Sequence, residues 1–418
     1  MSHDTFSLPV RQRPVVTPAG FLAGENAPPV RSLYIHVPFC FHKCHYCDFY
    51  SLVDTQDRQD AFVDRLVREM KAWAPWSEGA PLETVFVGGG TPSLLRPDLW
   101  ERVLAAMAGA FDLSAMGPGP GEFTVECNPE TVTPELMSVL AAGGVNRVSI
   151  GAQSFDPRHL KTLERWHNPE NVPRALEMAG AAGITRRSID LIFGIPGQTL
   201  PDWEADLRAA LSLGLTHLSC YNLTYEPKTA LTARLQRGDF RPAEEDLEVE
   251  MYERTLAMLR AAGLERYEVS NYAQPGDESR HNLAYWRQRE WLALGPSASA
   301  HVRGHRWKNL PRLDDYLRTD VSGFAPVTDH EPANAERALS EWIMTSLRLT
   351  EGLDSATLIR RAADISRPRL ELPSRLLRAA YAYEERGLLH MSDTRWALTD
   401  AGFLIADAIA GDLMACLR

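Results

Sequence analysis

The chain is poor in cysteine, with six in 418 residues, so it is not a small scaffold held by disulfides. It has no excess of basic charge either. Lys and Arg number 44 against 55 Asp and Glu, a formal net charge of -11, which argues against nonspecific affinity for nucleic-acid phosphates. No apolar run approaches the ~18–20 residues that span a bilayer. The opening stretch, "MSHDTFSLPVRQRPVVTPAG", lacks a basic segment followed by an apolar one, so no secretion signal is expected and residues 1–30 read as a loosely ordered leader. These absences point to the cytoplasm, where thiols stay reduced.

What the chain does have is a repeated alternation. Short, nearly continuous apolar runs ("SLYIHVP", "LETVFVGG", "EFTVECNP", "RVSIGAQS", "SIDLIFGIP", "HLSCYNLTY") are each followed by stretches with apolar residues at helical spacing. Strands buried on both faces and joined by helices predict a parallel sheet. Six such units predict an α/β fold, a barrel or partial (β/α)6 barrel with its extension over residues 31–305. Residues 306–335, which include "GFAPVTDHEPANAE", read as a linker. Helices and then "GLLHMSDTRWALTDAG", two short strands about a turn, predict a winged-helix-like α+β domain over 336–418. From Glu331 to Arg418 there are 11 Lys/Arg against 13 Asp/Glu, so this domain is not basic and DNA binding is disfavoured.

Three of the six cysteines, Cys40, Cys44 and Cys47, fall within "FCFHKCHYCDFYS", in the loop after the first strand. At this spacing three thiolates can converge on one metal centre. A structural zinc ion takes four ligands, and His42 or His45 is at hand to complete such a site. An iron–sulfur cluster held by three thiolates instead leaves one iron open to an exogenous ligand. Polar or unhindered positions recur at the ends of the next strands: Gly88 to Gly90 with Thr91, then Glu126, Gln153 and Asp190. Each alone reads as a turn or a capping residue. In a β/α barrel the C-terminal strand ends form one rim, and that is where sites are built.

"YIHVPFCFHKCHYCDF", "GGGTPS", "ECNP", "GAQSF" and "DLIFGIPGQT" together resemble the radical S-adenosylmethionine (SAM) enzymes, in particular the oxygen-independent coproporphyrinogen III oxidase family. The resemblance implies a [4Fe–4S] cluster on Cys40, Cys44 and Cys47, with SAM chelating the open iron and cleaved there to a 5′-deoxyadenosyl radical. It assigns SAM contacts to Tyr34, Gly89, Gly90, Thr91, Glu126, Gln153, Arg165, Asp190 and Ala298. Arg165 suits this role because its planar fork can pair with a carboxylate.

Oxidases of that family carry a further cysteine two residues after the third. Here the sequence runs Cys47-Asp48-Phe49-Tyr50. This ending, with "HNLAYW" at His281 to Trp286, resembles the HemW-like subgroup of haem chaperones. The resemblance implies haem binding, with His281 as candidate axial ligand, delivery to respiratory haemoproteins, and peripheral membrane contact. A His-Asn turn followed by core aromatics would give the same string. Three readings stand: a haem-trafficking protein with a SAM-binding cluster, a radical SAM oxidoreductase or methyltransferase acting on a porphyrin or another substrate, and a zinc-stabilised protein without redox chemistry.

Overall fold

A computed structural model describes residues 16–22, 29–77, 79–318, 322–365 and 372–417. Six strands, β1 (Ser32–Val37), β2 (Thr84–Gly89), β3 (Glu122–Cys127), β4 (Arg147–Gln153), β5 (Arg186–Phe193) and β6 (His217–Asn222), lie side by side in chain order. Every neighbouring pair among them is parallel. One or more helices follow each strand, as the alternating pattern predicts. The helices begin where the chain chemistry says they should: Pro97, Pro134 and Pro157 occupy first-turn positions, and Thr133, Asp156 and Thr199 cap backbone N–H groups.

The strand side chains explain why the sheet is covered. Leu33, Ile35, Val85, Phe123, Val125, Val148, Ile150, Ile189, Leu191 and Leu218 are all fully buried. The sheet is extended at both edges. Beside β6 lie β8 (Asn271–Ala273) and β7 (Glu265–Arg266), antiparallel, and beside β1 lies β9 (Leu292–Leu294), parallel.

Residues 306–335 are more than a linker. They hold most of β11 (His305–Asn309), all of β12 (Val327–Glu331) and the helix Leu313–Arg318, and the two strands join β10 (Ser299–Val302) in a separate antiparallel sheet. Its anchor is a buried pair one turn apart on the helix Gln59–Trp73. Arg65 donates to the carbonyls of Tyr316, Gly323 and Phe324, at 3.2, 2.8 and 2.9 Å. Glu69 accepts from Gly295 N at 3.0 Å, Asn309 Nδ2 at 3.1 Å and the Tyr316 hydroxyl at 2.8 Å. A polar composition reads as a linker, but these partners lie about 250 residues away in sequence and leave no local signal. Most of the leader expected over 1–30 lies outside the described residues; within it, Pro18–Phe21 is helical.

The C-terminal segment has its own core, with Leu339, Ile343, Leu376, Trp396, Ile409 and Leu413 all buried. Three strands, β13 (Leu353–Asp354), β14 (Leu389–Met391) and β15 (Arg395–Leu398), pair in the order β13-β15-β14. β14 and β15 are the expected hairpin, while the two-residue β13 is too short to leave a pattern. Arg266 ties this domain to the barrel, contacting Asp400 at 2.7 Å and lying 3.7 Å over the Phe403 ring.

Glu69→Ala removes the buried counter-charge of Arg65 and leaves Gly295 N and the Tyr316 hydroxyl without their acceptor. The expected loss is about 3–5 kcal/mol, read as a fall in the urea unfolding midpoint.

Candidate functional site

The site is built on a close approach between the exits of β1 and β2. Gly90 N donates to Val37 O at 2.8 Å, and Thr91 N donates to Phe39 O at 2.7 Å. A Cβ on Gly90 would lie 2.6 Å from Phe39 O, one on Gly89 2.4 Å from the His36 ring, and one on Gly88 2.7 Å from Glu126 Oε2. The three glycines thus make room for the protein's own groups, and the left-handed backbone of Gly89, φ 105°, needs glycine for a second reason. On the other side, Cys40 N donates to Leu52 O at 2.9 Å, closing the cysteine loop on itself. His36 is fixed between the Tyr34 hydroxyl (3.0 Å) and Tyr50 O (2.8 Å), which pins the loop's return.

A cavity of about 710 Å³ opens at these strand ends, and Cys40, Cys44, Cys47, Gly89, Gly90, Thr91, Glu126, Gln153, Arg165 and Asp190 all line it. The structure brings these ten together around one cavity, while Gly88 does not line it. Tyr34 stands outside the lining, with its hydroxyl 3.0 Å from His36 Nδ1. Ala298 is fully buried, with its carbonyl accepting from Asn309 N at 2.8 Å, and does not reach the cavity. Residues that the sequence did not single out include His36 and Ser149. Both sit two residues from a polar neighbour on the same strand face, a period-two signal that is legible once the strands are known.

The thiols fit an iron–sulfur cluster better than one zinc ion. Zinc–sulfur bonds of about 2.3 Å would draw the ligands within about 4 Å of one another. Among the described residues, neither the three cysteines nor their neighbouring histidines gather within 4.8 Å, and only Asp156, His159 and Asp202 do. His42 instead stacks on Trp166, with centroids 4.2 Å apart, and His45 Nδ1 lies 3.4 Å from Arg234. Donors are aimed at the sulfurs: Thr91 Oγ1 lies 3.5 Å from Cys40 Sγ and Arg165 Nη1 lies 3.8 Å from Cys44 Sγ. Without a metal, burial pushes the Cys47 thiol up to about 11, and a bound cation reverses that preference.

The rest of the cavity carries charge suited to a zwitterion. Arg165 Nη2 donates to Gly151 O at 2.9 Å, while its Nε is buried without a partner. Gln153 sits at a register shift between β4 and β5 with φ 63°, a strained position for a non-glycine residue. Asp190 accepts from Ser149 Oγ at 3.0 Å, and burial raises its pKa. Glu126 accepts from Gly89 N at 3.2 Å, and burial with the nearby Asp190 raises it from 4.5 to about 7.

His281 lies at the other end of the sheet. Its helix, Arg280–Trp286, is capped by Glu122 at the start of β3, which accepts from Arg280 N at 3.1 Å and His281 N at 3.0 Å and pairs with Arg147 at 3.0 Å. The imidazole is fully buried, with Nδ1 2.8 Å from Thr84 Oγ1 and Nε2 2.8 Å from the Tyr285 hydroxyl. Burial lowers its pKa to about 3. Both nitrogens are committed within the core, so this conformation offers no open axial ligand. The outer side of the same helix, with Arg280, Leu283, Ala284 and Arg287, borders a second cavity of about 740 Å³.

The raised pKa of Glu126 has a sign that can be tested. The folded chain holds that proton up to about pH 7, the unfolded chain only to about 4.5. The stability it adds is complete below the lower value and lost as pH rises through the upper, about 3 kcal/mol in all. Urea midpoints of the metal-free chain at pH 5 and pH 8 are expected to differ less in Glu126→Gln than in the parent.

Two family models match the chain: "Radical SAM superfamily" over residues 34–210 and "HemN C-terminal domain" over 334–405. A protein of Mycobacterium tuberculosis called heme chaperone HemW is 36% identical over 407 residues, covering 97% of this chain and 99% of that protein. The Bacillus subtilis protein of the same name is 34% identical, covering 91% and 98%. The solved structure of coproporphyrinogen III oxidase (HemN) from Escherichia coli, described as a radical SAM enzyme, superposes with a TM-score of 0.78 at 22% identity, over 92% of this chain and 90% of that one. At that identity the structural likeness speaks for the fold. The sequence matches, nearly full length in both directions, place this chain in the radical SAM superfamily, within the oxygen-independent coproporphyrinogen III oxidase family and its HemW-like subgroup.

Proposed function

We propose that this chain is a cytoplasmic haem chaperone that carries a SAM-coordinated [4Fe–4S] cluster and hands haem to respiratory haemoproteins. The observation that carries the reading is the near full-length match to chains called heme chaperones, in a sequence whose third cysteine is followed by Asp48-Phe49 and no fourth cysteine. Cys40, Cys44 and Cys47 would hold the cluster, which when bound with SAM supplies one-electron chemistry. The chain's own part is positional. Glu126 and Asp190 attract the cationic groups of the ligand, the partnerless Arg165 Nε is free for its carboxylate, and Gly89 and Gly90 let it approach the backbone closely.

Haem would enter at the far end, beside the helix Arg280–Trp286. The cavity there pairs the apolar side chains of Leu283, Ala284 and Leu349 with Arg280, Arg287 and Arg289. Apolar surface flanked by cations suits a planar porphyrin with two carboxylates. Arg287 is bound to Glu351 at 2.9 Å and Arg289 to Glu83 at 3.0 Å, so those ion pairs would open to receive propionates. For His281 to ligate iron, Nε2 must leave Tyr285.

After anaerobic reconstitution, about four irons and four sulfides per chain are expected, and replacing any of Cys40, Cys44 or Cys47 by Ala abolishes the brown chromophore. Glu126→Ala and Asp190→Ala keep the cluster and weaken SAM binding by about tenfold or more, the effect of removing one charged hydrogen bond. Zinc without iron, or unchanged SAM affinity in both variants, contradicts this part of the reading.

The chaperone and the oxidase are separated by two measurements on the reconstituted chain. Haem titration is expected to give one equivalent bound, and coproporphyrinogen III is expected to survive incubation with SAM and reductant. His281→Ala alters the Soret band while the cluster absorbance stays. An unchanged Soret band rejects His281 as the ligand, and robust decarboxylation rejects the chaperone.

A further inference from the structure

Where β4 gives way to the helix Pro157–Thr162, Asp156 and His159 face Asp202 near the start of the helix Leu200–Ser212. One ligand atom from each of the three lies within 4.8 Å of the others. The imidazole is 3% exposed, and its Nε2 is sealed from solvent with no hydrogen-bond partner. Its near neighbour is Asp202 Oδ2, at 3.6 Å, too far for a hydrogen bond. A buried nitrogen without a hydrogen-bond partner, turned toward carboxylates, is placed to ligate a cation between them.

The aspartates divide their oxygens. Asp156 Oδ1 caps its helix, accepting from Arg158 N at 2.7 Å, and Asp202 Oδ2 serves the capping box, accepting from Thr199 N at 3.0 Å and Thr199 Oγ1 at 2.7 Å. Arg158 Nη2 holds the remaining pair, Asp156 Oδ2 at 2.6 Å and Asp202 Oδ1 at 2.9 Å. That guanidinium sits on a side chain 71% exposed and can swing out without disturbing the core. With it gone, two carboxylate oxygens and one imidazole nitrogen remain, each on a backbone that its caps hold still.

We propose that Asp156, His159 and Asp202 bind a divalent cation of the Mn²⁺ or Zn²⁺ class, which displaces the Arg158 guanidinium and rivets the two helices together. Metal–ligand bonds of about 2.0–2.2 Å set tetrahedral neighbours about 3.4 Å apart, so ligand atoms already within 4.8 Å of one another need close in only slightly. Mixed imidazole and carboxylate donors suit these ions. The helix fixed in this way ends at Thr162, and the chain then passes through a turn at Leu163 and Glu164 to Arg165, so the cation holds the root of the segment that presents Arg165 to the thiols.

The test uses the full chain with its cluster assembled, titrated anaerobically with Mn²⁺ and followed by the EPR signal of the free ion. One Mn²⁺ is expected per chain, bound at least about tenfold more weakly by His159→Gln and severalfold more tightly by Arg158→Gln. Mn²⁺ raises the melting temperature of the parent and leaves that of His159→Gln unchanged. Equal affinity in the parent and His159→Gln overturns the proposal. So does an Arg158→Gln variant no tighter than the parent, a comparison that stands even if His159→Gln fails to fold. A parent whose melting temperature follows pH but ignores Mn²⁺ also overturns it, leaving a His159–Asp202 ion pair only.

Discussion

The approach of the β2 exit to the root of the cysteine loop, with Gly90 and Thr91 bonded to Val37 and Phe39, sets everything above it. Two backbones meet here at a distance that no side chain could share. Because β1 and β2 are locked in parallel register from Ser32 to Val37, that meeting point is fixed by the sheet itself. The three thiols are therefore presented from a loop whose two ends are both tied, one to β2 and one, through His36, to β1. A site on a loop gains in this way the precision usually found on rigid elements.

Around that anchor, the barrel interior is a hostile place for charge, and the chain uses it. Burial raises both Glu126 and Asp190, and the Asp190 charge raises Glu126 further, while Arg165 keeps one buried nitrogen unpaired. These are costs that an oppositely charged ligand relieves. The serines on β4 to β6 moderate the cost for Asp190 without cancelling it.

Much of this was legible beforehand, for identifiable reasons. Continuous apolar strands and helical spacing are local signals, so the six β/α units could be read; strand ends then pointed to Gly89, Gly90, Thr91, Glu126, Gln153 and Asp190, the cysteine spacing to the three thiols, and the family resemblance to Arg165. Ala298 could not be checked against any local pattern, and its backbone proves to be spent on Asn309. Residues 306–335 misread as a linker because their order comes from Arg65 and Glu69, far away in the chain. His281 shows the limit from the other side: the string "HNLAYW" fits a ligand and a core histidine equally, and the bonds to Thr84 and Tyr285 appear only when the helix is placed on the sheet.

The two cavities sit at opposite ends of β2, with Thr84 beside one and Gly89 beside the other. Six residues of strand make a spacer of roughly 17 Å. Between them Phe86 stacks on His281, with centroids 5.3 Å apart, and on Tyr34 at 6.3 Å. This aromatic partition keeps the two cavities apart, so a group in one makes no direct contact with a group in the other.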